Sequence, residues 1–256
     1  MRYFDAHLGL PEPTREGLDA LARHVESDKD FVAGNLILNT PGEVELVSRH
    51  LGRLPPTLNT IPYYTPAFDA PEELSRSGWY KIHPRLHGFE AKDIEEIKEA
   101  LLAAPVRPKG MVVCCFPWGP DLRHNISLPL VIEIARTLPD VPVLATHGGG
   151  YESWQLRAHA GPLRNVYFDF SATMSYYFRS DLLRPFQRYL RHTPERLLFG
   201  SDWPTGDTAE HLGECLRLAE EVSVSREELE TLLLDNAARL WPEAFGAAKR
   251  SRTARE

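Results

Sequence analysis

Short apolar runs recur along the 256-residue chain, and segments with helical periodicity separate most of them; no other feature narrows the fold so far. Eight runs read as strands: YFDAH (3–7), FVAGNLIL (31–38), PTLNTIPYY (56–64), WYKIH (79–83), MVVCCF (111–116), VPVLATH (141–147), VYFDFSA (166–172) and LLFGS (197–201). Apolar faces predict helices over 15–26, 41–51, 90–104, 127–138, 151–160, 181–192, 207–221 and 225–241. Ser127 is the expected N-cap of its helix, and Ser225 with Glu228 forms a capping-box signature. The spacer 65–78 is the weakest helix of the set.

Strands alternating with helices argue for a parallel sheet. Eight of them in a chain of this length predict one distorted (β/α)8 barrel. An open doubly wound sheet is the alternative. It would need a glycine-rich phosphate loop after the first strand, and His7-Leu8-Gly9-Leu10-Pro11 is not one. The barrel is expected to fill 1–246, with 247–256 a disordered basic tail.

Composition excludes more than it selects. A net charge of −7 gives no electrostatic footprint for nucleic acid or for an anionic membrane. No apolar run is long enough to span a bilayer. Three cysteines, an odd and sparse count, fit a reducing, cytoplasmic setting. A small-molecule substrate is the expected partner.

A (β/α)8 barrel carries its chemistry where its strands end at the C-terminal side. Five strand ends hold polar groups: Asp5 and His7; Lys81, His83 and Arg85; Cys114 and Cys115; Thr146 and His147 before three glycines; and Ser201 and Asp202 before Trp203-Pro204. Side chains two apart share a strand face, so Asp5 pairs with His7, and Lys81 with His83. Imidazoles and carboxylates converging in this way suit either a divalent metal or metal-free acid–base chemistry. Asp202 is the leading catalytic candidate, with His147 beside it.

These segments together resemble the amidohydrolase superfamily, in its amidohydrolase-related branch. The resemblance rests on FDAHLG (4–9), YKIHPRLHGF (80–89), VLATHGGG (143–150), VYFDFSA (166–172), LLFGSDWP (197–204) and LLLDNAARLW (232–241). It implies a hydrolase for amides, lactones and related bonds, with decarboxylation in some branches. It also implies a metal centre, and the resemblance allows a homo-oligomer. His7 corresponds to the first histidine of the family's His-x-His pair, His147 to its strand-6 histidine, and Asp202 to the aspartate that binds metal and activates water. The second histidine of the pair is replaced by Gly9, and the strand-5 histidine by Cys114 or Cys115. His7, His147 and Asp202 then remain as ligands for one zinc or manganese ion, with Cys115 as a further donor. The similar 2-pyrone-4,6-dicarboxylate lactonase branch works without metal. For such chemistry His83, Arg85, His87, Arg123 and His124 are the candidate substrate contacts, arginine matching carboxylates through its planar fork. The alternatives are a decarboxylase or cyclising lyase on the same scaffold, and a binding protein without catalysis.

Overall fold

The computed structural model describes residues 1–66, 73–74, 77–116, 121–171 and 184–253. The strands are β1 (Tyr3–Leu8), β2 (Phe31–Leu38), β3 (Leu58–Pro62), β4 (Trp79–Ile82), β5 (Gly110–Val113), β6 (Val143–Ala145), β7 (Val166–Asp169) and β8 (Leu197–Leu198). Each falls within or against one of the eight apolar runs. All pair in parallel, β1–β2–β3 in one sheet and β4 through β8 in sequential order in another. Two seams separate the sheets. An isolated bridge between Tyr63 and Lys81 spans the β3–β4 seam, and one between Leu8 and Trp203 spans the β8–β1 seam. At the second seam Ala6 N donates to Phe199 O (2.9 Å) and Asp202 N to His7 O (2.9 Å). The result is a distorted (β/α)8 barrel.

The described helices are α1 (Arg15–Ser27), α2 (Pro41–Arg49), α3 (Ile94–Ala103), α4 (Ser127–Thr137), α5 (Ser153–Ala160), α6 (Arg184–His192), α7 (Thr208–Glu221), α8 (Arg226–Glu230), α9 (Asn236–Leu240) and α10 (Pro242–Thr253). The Ser225–Glu228 capping box forms as its sequence predicts. Thr40 and Glu43 make another that the sequence reading passed over. Ser127 does not cap its helix. Its hydroxyl instead donates to Cys114 O (2.7 Å), tying α4 to the end of β5. The helix expected over 225–241 is interrupted by a π-helical turn at Thr231–Asp235. The weak helix of 65–78 and the start of the one at 181–192 fall largely outside the described residues. No described helix is long and apolar enough to cross a membrane.

One buried cluster takes side chains from nearly every strand: Phe4, Ile37, Ile61, Trp79, Val112, Leu144 and Leu198 among them. Trp241 joins it, stacked on Phe4 with ring centroids 5.3 Å apart and lying 4.5 Å from Trp79. Gly110 leaves room for this: a Cβ there would meet the Trp79 ring at 2.2 Å. Ala244 and Ala248 bury in the same cluster. That contact explains a difference from the sequence reading. Residues 247–253, expected as a frayed tail, continue α10, because alanines four apart put one helix face onto the core.

Candidate active site

Strand period two sets the next layer. Two residues beyond Trp79, Val112 and Leu144 stand Lys81, Cys114 and Thr146, all buried. His7 joins them from β1. Its backbone N–H donates to Asp5 Oδ1 (3.0 Å), and Ser201 N donates to the same oxygen (3.0 Å). Asp5 therefore ties β1 to the segment after β8. Burial pushes its carboxyl up to about 7.

His147 lies beyond the end of β6, in a left-handed turn. Its φ is +55°, and Gly148, Gly149 and Gly150 follow with φ of +58°, +87° and +59°. A Cβ at Gly148 would sit 1.7 Å from the Phe186 ring, so only glycine fits. The turn directs His147 N onto Asp169 Oδ1 (2.8 Å) and places His147 Nδ1 3.0 Å from both Ser171 O and Ser171 Oγ.

Ser171 is the centre of the cluster. Its hydroxyl donates to Asp169 Oδ1 and lies 3.0 Å from His7 Nδ1. Among the described residues Asp169 Oδ2 has no close hydrogen-bond partner, and His7 Nδ1 lies 3.5 Å away. Burial opposes the Asp169 carboxylate, but its contacts with His7, His147 and Ser171 outweigh burial and hold it below the usual range. The sequence reading used VYFDFSA only as a strand and a family match. Asp169 and Ser171 carry the same signal as Asp202, polar groups closing an apolar run.

The outer nitrogens of the two imidazoles differ. His7 Nε2 lies 3.1 Å from Lys81 Nζ and 3.5 Å from Asp202 Oδ1. Burial first, then the Lys81 charge, lower the His7 pKa. His147 Nε2 faces Cys114 Sγ at 3.7 Å. Burial disfavours both charged forms of this pair. For His147, the contacts with Cys114, Asp202 and Asp169 outweigh burial and raise it to about 9. For Cys114, the His83 and Lys81 charges with the His147 hydrogen bond bring the thiol well below its ordinary value. Both shifts favour the proton on the His147 ring over the Cys114 thiol. Cys115 Sγ turns away to Val113 O (3.5 Å), and burial raises its thiol. Of the two cysteines it is Cys114 that reaches His147.

Asp202 takes a left-handed φ of +59°, and its side chain keeps 19% exposure where His7 keeps 5%. Of the loop candidates, His83 also bears on the buried cluster through the Cys114 thiol, and the others make contacts outside it. His83 Nδ1 accepts from Leu86 N (3.2 Å), and His87 Nε2 lies 3.1 Å from Asn39 O. His124 Nδ1 lies 2.9 Å from Phe89 O. Arg123 is exposed and paired with Asp121 and Glu90. Arg85 packs its guanidinium over the Phe116 ring, 5.3 Å from the centroid.

Ligand atoms of His7, His147 and Asp169 lie within 4.8 Å of one another, a donor set that could hold a divalent ion. Asp169 thus joins the two histidines where the sequence reading had Asp202, which lies against His7. In the arrangement present, the inner nitrogens of both rings are engaged by Ser171. The outer nitrogen of His7 is engaged by Lys81, and Gly9 offers no donor. As arranged, these residues do not fit a divalent cation without displacing Ser171 Oγ or the Lys81 ammonium.

Comparisons with known proteins add to this geometry. An uncharacterised TIM-barrel protein from Bordetella bronchiseptica is similar over 95% of this chain and 99% of its own, at 14% identity and a TM-score of 0.60. A structure titled amidohydrolase II is similar over 94% of this chain and 99% of its own, at 16% identity and a TM-score of 0.56. A TatD homologue from Escherichia coli K12 is similar over 94% and 98%, at 12% identity and a TM-score of 0.54. At such identities these likenesses show the fold. No curated protein matches the sequence. A family model described as Amidohydrolase matches residues 6–242, from the first strand through the last helix of the barrel wall. The chain belongs to the amidohydrolase family of hydrolases.

Proposed function

We propose that the protein hydrolyses an amide, lactone or related bond in a small, carboxylate-bearing substrate, with Asp202 as general base. The observation that carries this reading is the contrast between Asp202 and its neighbours. Its carboxylate is the partly exposed member of a polar group whose other members are buried, and it lies 3.5 Å from His7 Nε2. A carboxylate in that position can take a proton from water as the water oxygen attacks a carbonyl carbon. The negative charge that develops on the carbonyl oxygen needs a positive partner, a role that suits His147, whose contacts favour its protonated form. Its Nδ1 is oriented by Ser171 O, so the ring does not have to reorganise. When the carbon–nitrogen or carbon–oxygen bond breaks, the leaving atom takes back a proton from the acids of the site. Arg85, half-buried against Phe116, is the side chain placed to hold a substrate carboxylate.

The test is turnover of a panel of small lactones and amides carrying carboxylates, run in oxygen-18 water. Label in the product carboxylate, lost with Asp202→Asn, supports hydrolysis. Release of carbon dioxide without label would replace this reading by a decarboxylase, and ring closure without label by a cyclising lyase.

A further inference from the structure

We propose that the Lys81 ammonium is the resident cation of this site and that it keeps a divalent metal ion out. Lys81 is the penultimate residue of β4 and is 2% exposed. Among the described residues no carboxylate oxygen comes within 4.0 Å of its Nζ, so no ion pair explains its burial. A buried charge without compensation is strongly unfavourable. Its polar partner is His7 Nε2 at 3.1 Å.

The rest of the network accounts for that contact. Ser171 Oγ lies 3.0 Å from His7 Nδ1 and donates onward to Asp169 Oδ1. An oxygen whose own proton is directed at Asp169 accepts from the ring, so the ring proton sits on Nδ1. The lone pair of His7 then lies on Nε2, where it accepts from the ammonium. Asp169 supplies the opposite charge one ring away, and the sequence Asp169, Ser171, His7, Lys81 forms a single polarised chain across the barrel.

A metal ion at the outer face would require this same lone pair. It would also stand within a few ångströms of a fixed positive charge and be repelled by it. Lys81 also lies near the space that the Asp202 carboxylate faces, through their common partner His7. An ammonium there offers a carbonyl oxygen the same electrostatic help that a metal would, without coordination. That role in turnover rests on the hydrolase reading; exclusion of metal does not.

Zinc titration of the purified chain against a chromophoric chelator, with elemental analysis of the protein as isolated, tests the proposal. Wild type is expected to hold less than about a tenth of an equivalent, and Lys81→Met to take up close to one equivalent with on the order of tenfold tighter binding or more. Lys81→Gln, which keeps a polar group, serves if the methionine variant does not fold. Stoichiometric zinc in wild type, bound as tightly as in either variant, overturns the proposal. So does a folded Lys81→Met or Lys81→Gln protein that binds zinc no better than wild type. The titration uses no substrate, so failure of the hydrolase reading leaves its outcome intact. Failure of metal exclusion likewise leaves the oxygen-18 result to stand alone.

Discussion

Two sets of polar side chains gather at one end of this barrel, and they are held in different ways. His7, Lys81, Cys114, His147, Asp169 and Ser171 stand at strand ends or one turn beyond, and each contacts another member of the set. His83, Arg85, Arg123 and His124 stand in the segments after β4 and β5; Arg123 and His124 contact a neighbouring carboxylate and a carbonyl, Arg85 packs over Phe116, and His83 holds a backbone amide while bearing on Cys114. The first set is positioned by the sheet, so its geometry persists without a ligand. The second is positioned by nearby chain and can adjust. On the proposed hydrolase reading, chemistry that needs fixed charges would belong to the first set and substrate selection to the second.

Substitutions can break this division. The largest effect is expected for Asp202→Asn, a loss of about 10³-fold in kcat/KM with an unchanged melting temperature; a loss of under tenfold would remove Asp202 from the chemistry. Next is Cys114→Ser. Without the thiolate, burial should dominate at His147, so its half-protonation should fall from about 9 to the ordinary imidazole value or below, as read by NMR of the ring. Both ionisations shift in the wild-type pair, so one proton stays with the folded pair between about pH 6.5 and 8.5, as it does in the unfolded chain. Stability should therefore be flat there whether sulfur or nitrogen carries the proton, so the ring titration, and not urea unfolding, reads the charge state of the pair. Ser171→Ala leaves a buried ring nitrogen and carboxylate short of a partner and should cost about 1–3 kcal/mol of unfolding free energy. In the loop set, Arg85→Ala should raise KM about tenfold with little change in kcat. Arg123→Ala is expected to change neither by more than about twofold, since its charge is already matched by exposed acids. Equal effects at the two arginines would dissolve the distinction between them.

Much of the first set was legible before any coordinates. Strand ends follow from apolar run lengths, and period two carries Trp79 to Lys81 and Val112 to Cys114. The same rule indicates which cysteine faces inward, although the sequence reading favoured Cys115. Contacts that cross the barrel were not legible. Nothing in VYFDFSA says that Ser171 will stand between two histidines from β1 and β6, because that depends on how three strand ends tilt together. Asp5 shows a similar limit. Parity puts it on the same face as His7, but its Oδ1 accepts from the amides of His7 and Ser201, so its observed work is to fasten backbone. The continuation of α10 past 247 was hidden too, since a basic, alanine-containing end looks like a tail until Phe4 and Trp241 present a surface for it.

The β8–β1 seam has a mechanical consequence. A ladder shares strain among many bonds, whereas the described residues of this joint carry three backbone bonds, Ala6 to Phe199, Asp202 to His7 and Gly9 to Trp203, and the Ser201 amide on the Asp5 carboxylate. His7 and Asp202 occupy opposite lips of that joint, so the gap between imidazole and carboxylate is also the gap between two sheets. A deformation that loosens the joint by half an ångström would alter the alignment of His7 and Asp202 directly. The tolerance of the chemistry is thus set by how stiffly the barrel closes on itself.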